Sequence, residues 1–141
     1  MKLISIFSYP RSIGISETLL SSKLLLALQT QFEVKPVSII FVSEKEIQKL
    51  NKEYRKVDES TDVLSFNFDK PDLLGEVYIC YDYIARTSKD ENEVYRVIIH
   101  GILHLLGYDH KHEFVDINSK NIENMFIVQE SILNNLMKRL K

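Results

Sequence analysis

Residues 97–107 read Val-Ile-Ile-His-Gly-Ile-Leu-His-Leu-Leu-Gly, and this run constrains the chain more than any other. It is helical in pattern and apolar nearly all round, as a largely buried helix is. His100 and His104 stand four apart within it, so their side chains project from one face. Two neutral imidazoles buried there each need a polar partner, because an unpartnered polar group inside a protein costs about 1–3 kcal/mol. One shared metal ion satisfies both.

A third histidine follows at the right place. Gly107 can adopt the backbone that ends a helix, after which Tyr108-Asp109 turn the chain and His110 can come back toward the same point. Three imidazoles leaving one tetrahedral position open make a catalytic rather than a structural zinc site. The ligand type alone also suits nickel, copper or iron. The spacing matches the extended zinc-protease signature His-Glu-x-x-His-x-x-Gly-x-x-His, but Gly101 stands where that signature places its glutamate base. Met125 sits in a helical pattern, and no methionine turn follows the histidines. The ligands fit that outline and the peptidase chemistry does not. Glycine inside a helix costs about 1 kcal/mol against alanine, so Gly101 signals a close approach beside the histidines.

Composition sets the remaining limits. The chain has 141 residues, enough for one domain with a real core, and its 45% apolar and 27% charged content is that of a globular protein. A net charge of −2 gives no global basic field, so attraction to nucleic acid has to be local. Cys80 is the only cysteine, which excludes an intramolecular disulfide and a cysteine-rich zinc finger. No stretch has the pattern of a targeting peptide or the length of a membrane span, so the expected compartment is the cytoplasm.

Strand-like and helix-like segments alternate without repeats. Residues 2–8, 36–42, 62–68 and 74–81 read as strands; residues 16–31, the segment after Ser43, residues 90–106 and the C-terminal stretch read as helices. Ser43-Glu44-Lys45-Glu46 has the form of a capping box, and Asp90-Glu91-Asn92-Glu93 resembles one. In 62–68, Leu64, Phe66 and Phe68 are the better candidates for the core face, which leaves Ser65 and Asn67 facing solvent or a cleft. Lys45, Lys49, Lys52 and Lys56 share a helix face that reads as solvated, with an RNA backbone track as the alternative. The expected fold is α+β, a small mixed sheet packed with helices in one domain over residues 1–141, with a metal-binding helix like that of zinc proteases.

Residues 100–110 match in full the motif His-Gly-x-Leu-His-Leu-x-Gly-Tyr-Asp-His, and with Leu50-Asn51, Tyr54-Arg55, residues 61–66 and Leu74-Gly75-Glu76 the chain resembles the YbeY family of bacterial endoribonucleases and rRNA maturation factors. The likeness is strong over about residues 46–112 and weak at both ends. Asn67 stands where a proline is common in that family, and Glu76 where an aspartate is common. The resemblance implies that His100, His104 and His110 bind one Zn²⁺ and act in catalysis together with Arg55. Arginine suits phosphate, since its planar guanidinium donates two parallel hydrogen bonds and stays charged.

The resemblance further implies a zinc-dependent, single-strand-specific endoribonuclease in rRNA maturation and small-subunit quality control. Its partners would be single-stranded rRNA, the small ribosomal subunit, a ribosomal protein and an assembly GTPase. Two rival readings are a non-catalytic ribosome-assembly factor with a structural metal and a zinc peptidase with an unconventional base. Asp109 reads as an acceptor for a ligand histidine or as a loop cap, His112 as a loop histidine or a spare ligand. Cys80 reads as core, while Thr61 and Ser65 read as cleft-lining or as plain turn and strand residues.

Overall fold

The computed structural model of the chain describes residues 2–108 and 120–141. Four strands form one sheet: β1 (Ile4–Phe7), β2 (Val37–Phe41), β3 (Val63–Lys70) and β4 (Leu73–Ile79). Their spatial order is β1-β2-β4-β3, with β1/β2 and β2/β4 parallel and β3/β4 antiparallel. Parallel neighbours require crossovers, and helices supply them: α1 (Glu17–Gln29) joins β1 to β2, and α2 (Glu44–Arg55) precedes the β3–β4 hairpin. After the sheet come α3 (Tyr81–Thr87), α4 (Glu93–Leu105) and α5 (Lys120–Leu140). The architecture is α+β, as expected.

Both faces of the sheet are covered. On one face Ile4, Ile6, Val37, Ile39, Val77 and Ile79 pack with α1, α4 and α5 into the main core, to which α1 contributes Leu20, Leu24, Ala27 and Leu28. On the other face Leu64 and Cys80 pack with Ile47 of α2, flanked by Leu50, Phe66 and Tyr78. Leu64 and Phe66 of β3 face a core as expected, but it is this second layer under α2, and Phe68 falls outside it. Val63 and Ser65 lie on the main-core face against α4.

The starts of α1 and α2 follow local capping chemistry, and the start of α4 departs from it. Ser16 caps α1 by accepting from the Leu19 amide at 3.1 Å. The box at α2 forms fully, Ser43 Oγ accepting from the Glu46 amide and Glu46 Oε1 from the Ser43 amide. The second expected box does not form. Asn92 is the N-cap of α4 without a side-chain cap bond, because Asp90 Oδ1 takes the Asn92 amide and Glu93 turns to Arg96 instead. The expected strand over 74–81 also stops early. Cys80 donates its amide to Asp62 O, after which the chain turns into α3, whose one buried residue, Ile84, leaves no visible helical period.

α4 lies close against β3 and β4, and Gly101 is the reason it can. A Cβ on Gly101 would fall 2.6 Å from Val77 Cγ1, 3.0 Å from Val63 Cγ2 and 3.1 Å from Ser65 Oγ. Ser65 Oγ donates to Gly101 O at 2.8 Å across the same contact. The close approach signalled by this glycine is therefore to the sheet. Among the described residues no helix is long and apolar enough to cross a membrane.

α4 and α5 are also tied by charge. Arg96 donates through Nε and Nη2 to the Glu130 carboxylate and through Nη1 to Asp90 and Glu93. These bonds from Arg96 hold the Glu130 carboxyl below its ordinary value of 4.5. Asp90 is likewise lowered from 3.8, first by the Asn92 amide and then by Arg96.

Two outcomes are expected. Gly101→Ala should lower unfolding stability by about 1–3 kcal/mol through overpacking, despite the gain in helix propensity; a urea titration showing equal or greater stability would contradict the packing described. Because Glu130 is more acidic folded than unfolded, its contribution is present above about pH 4.5 and fades as pH falls through its folded value. Thermal melts between pH 7 and pH 3 should therefore show a smaller loss for Glu130→Gln than for wild type. Identical losses would mean that the Arg96–Glu130 pair contributes nothing.

Candidate functional site

α4 carries its histidines at the edge of the contact with β3. Its other residues from Val97 to Leu105 are buried, whereas His100 and His104 are half-buried and open on a cleft. One helical turn apart, their ring centroids stand 4.5 Å from each other and the rings are nearly perpendicular, at 84°. The two Nε2 atoms are 3.0 Å apart. Two imidazole nitrogens each about 2.0–2.1 Å from one tetrahedral zinc lie roughly 3.3 Å apart, so this pair is within a few tenths of an ångström of a ligand pair.

The other nitrogen of His100 is engaged as well. Its Nδ1 lies 2.8 Å from Oε1 of Gln129, a buried glutamine on α5. An amide oxygen only accepts, so with Oε1 on the ring this contact calls for an Nδ1–H, which leaves the Nε2 lone pair on the side of His104. That is the tautomer a metal ligand needs.

The end of α4 is built as the glycine predicted. Gly107 has φ +108°, its amide bonds to His104 O, and the Tyr108 amide reaches back to Leu103 O at 3.0 Å. These two bonds close a Schellman motif and reverse the chain directly after His104. Tyr108 packs edge-on against Phe32. His110, Asp109 and His112 lie outside the described residues. Among the described residues no group of three or more His, Cys, Asp or Glu converges as a metal site would require, so the described part of the expected triad is the His100–His104 pair.

The cleft, about 480 Å³, is lined by both histidines and by Tyr54, Arg55, Thr61, Asp62, Ser65 and Asn67, among others. Arg55 is thus placed at the same opening as the histidines. It is the last residue of α2, where Lys56 takes a left-handed conformation (φ 61°) and turns the chain away. The Asn51 side chain donates to Glu59 O at 2.9 Å and holds the following loop against α2. Arg86 and Arg96 bind carboxylates, whereas Arg55 is exposed and has no ion-pair partner among the described residues.

Thr61, Ser65 and Asn67 line the cleft, which favours that reading of them over plain turn and strand residues. Ser65 also bonds to α4. Glu76 accepts from the Tyr78 hydroxyl, and burial together with that bond raises the Tyr78 pKa. Cys80 is fully buried, and burial pushes its thiol up. Lys45, Lys49 and Lys52 of α2 and Lys56 at its C-cap are exposed and none lines the cleft; Lys52 pairs loosely with Asp58 at 3.8 Å. They form a solvated face.

Three cleft and support residues were not singled out as site residues from the sequence, although Tyr54 and Asp62 lie in the stretches that carry the family resemblance. Asp62 is the one acidic side chain among the described residues that line the cleft. Tyr54, 60% exposed, is packed edge-on against Phe66 at 5.1 Å, and Phe66 against Tyr78 at 5.6 Å. Gln129 touches His100 only because α5 docks on α4. For the tyrosine the hints were its place in the matched Tyr54-Arg55 pair and its adjacency to Arg55.

Comparison with known proteins agrees with the geometry. Residues 14–137 match the family model described as Endoribonuclease YbeY. Proteins named Endoribonuclease YbeY from Ureaplasma urealyticum and Thermotoga petrophila are 44% and 45% identical over 105 and 91 residues, covering 68% and 61% of this chain. One from Thermosipho melanesiensis is 34% identical over 108 residues, covering 73% of this chain and 75% of its own. The match spans 64% of the Ureaplasma protein and 59% of the Thermotoga one. The solution structure of a Thermotoga maritima protein superposes with a TM-score of 0.63 at 33% identity, covering 94% of this chain and 88% of that one. The chain belongs to the Endoribonuclease YbeY family.

Proposed function

We propose that the chain is a zinc-dependent endoribonuclease that cuts single-stranded RNA, with His100, His104 and His110 holding one Zn²⁺ and Arg55 binding the phosphate. The observation that carries this reading is the cleft onto which the histidine pair and Arg55 both open. Zinc bound there would polarise a phosphoryl oxygen or lower the pKa of water. Arg55 would clamp the scissile phosphate and stabilise the charge that grows on it. The proposed setting is ribosomal RNA maturation and quality control of the small subunit in the cytoplasm, with a ribosomal protein and an assembly GTPase as partners; its support is the family to which the chain belongs.

The aromatic wall supports the single-strand preference in this reading. Tyr54 offers an exposed ring beside Arg55, and the edge-on Phe66–Tyr78 pair holds it from behind. A base freed from a duplex can stack on such a ring while its phosphate meets the guanidinium. Peptide hydrolysis by the zinc-protease route is disfavoured, because position 101 faces Val77 and has no room for a glutamate base.

Metal analysis and RNA cleavage on variants purified side by side test the assignment. Wild type should hold zinc and cleave. Arg55→Lys should keep its zinc and lose about 10²–10³-fold in cleavage rate, the cost typical of one charge-stabilising donor. His104→Ala should stay folded, lose zinc and lose cleavage. Cleavage of equal size in the His104→Ala preparation would sink the enzyme assignment, and unfolding of that variant would favour a structural metal. Tyr54→Ala should weaken binding of single-stranded RNA by about 1–3 kcal/mol and leave duplex binding unchanged; equal affinity for the single strand would remove Tyr54 from the recognition surface.

A further inference from the structure

His100 is held by a chain of contacts that starts at the surface and crosses from α5 to α4. The Gln129 amide has two ends, and its neighbours decide which one meets the ring. Its Nε2 donates to Glu130 Oε2 at 3.3 Å. Glu130 is an acceptor in this setting, since Arg96 donates to its carboxylate from Nε at 3.0 Å and from Nη2 at 3.2 Å. Arg96 is itself fixed by Asp90 and Glu93. An NH₂ group facing a carboxylate leaves the amide oxygen facing His100 Nδ1, which must then be the protonated nitrogen. Gln129 is 7% exposed, so water has little access to take its place.

We propose that Gln129 is a positioning residue for the metal centre: it locks His100 in the Nδ1–H tautomer with the Nε2 lone pair aimed at His104, and Arg96 and Glu130 fix the orientation of its amide. The affinity consequence rests on the zinc reading above; the tautomer does not. Partners of this kind orient a ligand ring before the ion arrives and raise its basicity, and losing one typically costs 10–100-fold in metal affinity. A neutral amide gives a weaker pull than a carboxylate at the same place, which leaves the ion more electron-poor.

The test combines zinc affinity, measured by competition with a chromophoric chelator on the full chain, with thermal melts of each variant. Gln129→Leu keeps the size and burial and removes the acceptor; it should bind zinc about 10–100-fold more weakly while its metal-free form melts near wild type. Gln129→Glu restores the acceptor but sets its second oxygen against the Glu130 carboxylate, so the rescue is read in Gln129→Glu combined with Glu130→Gln, which should bind zinc at least as tightly as wild type. Zinc affinity unchanged in Gln129→Leu would overturn the proposal and reduce Gln129 to a packing residue.

A ¹⁵N spectrum of the His100 ring in the wild-type chain, with and without zinc, reads the tautomer directly and needs no variant to fold. A protonated Nδ1 and a bare Nε2 in the metal-free chain are expected; a protonated Nε2 there would contradict the lock. If wild type took up no zinc at all, the zinc reading would fail, and this spectrum would still decide whether Gln129 sets the tautomer.

Discussion

The contact between Gly101 and the β3–β4 hairpin is the constraint on which the rest depends. A side chain at position 101 would collide with Val77 and Val63, both held by the sheet, so α4 can lie at this depth only with glycine there. The depth matters because residues 100 and 101 are adjacent on a helix and diverge by about 100°. With Gly101 turned to the sheet, His100 and His104 emerge beside β3, at the rim where Ser65 and Asn67 open the cleft. The same geometry that packs the core sets the histidines at the edge of it.

Polar satisfaction then does what apolar packing cannot. An imidazole on a mostly buried helix has two nitrogens to account for, and His100 has its Nδ1 on Gln129 and its Nε2 beside His104. The Gln129 contact is anchored through Glu130 to Arg96, which sits on α4 one turn before His100. The helix that bears the histidines thus also bears the far end of the network that orients one of them. Arg55 reaches the cleft from the opposite layer of the sheet, where α2 is anchored by Ile47, Leu64 and Cys80. Two separately packed layers meet at one opening, which is how a small fold can bring a guanidinium and an imidazole pair together.

Much of this was legible in the chain itself, for physical reasons that also mark where it stopped. The pattern of two histidines in an apolar helix ended by glycine is local, and the structure bears out the helix, its Schellman end and the shared face. The α2 capping box was equally local. On β3 the alternation placed Leu64 in a core and Ser65 and Asn67 at the cleft, but not which core, because α2 covers the second face of the sheet. Gly101 signalled a close approach correctly, but its partner, Val77, lies on another element. The box expected at Asp90 failed because Arg96 competes for the same carboxylates. Gln129 was invisible, since nothing local to an exposed-looking glutamine on an amphipathic helix says which imidazole it will meet 29 residues away.

The central claim is that this fold presents an imidazole-only zinc site with room left for a reacting group. Zinc K-edge X-ray absorption on the zinc-loaded chain tests it most directly. The expected first shell is nitrogen and oxygen at about 2.0–2.1 Å, with outer-shell scattering from three imidazoles and a light atom from solvent completing the set. A sulfur shell at about 2.3 Å, which would enlist Cys80, or scattering from fewer than three imidazoles would contradict it.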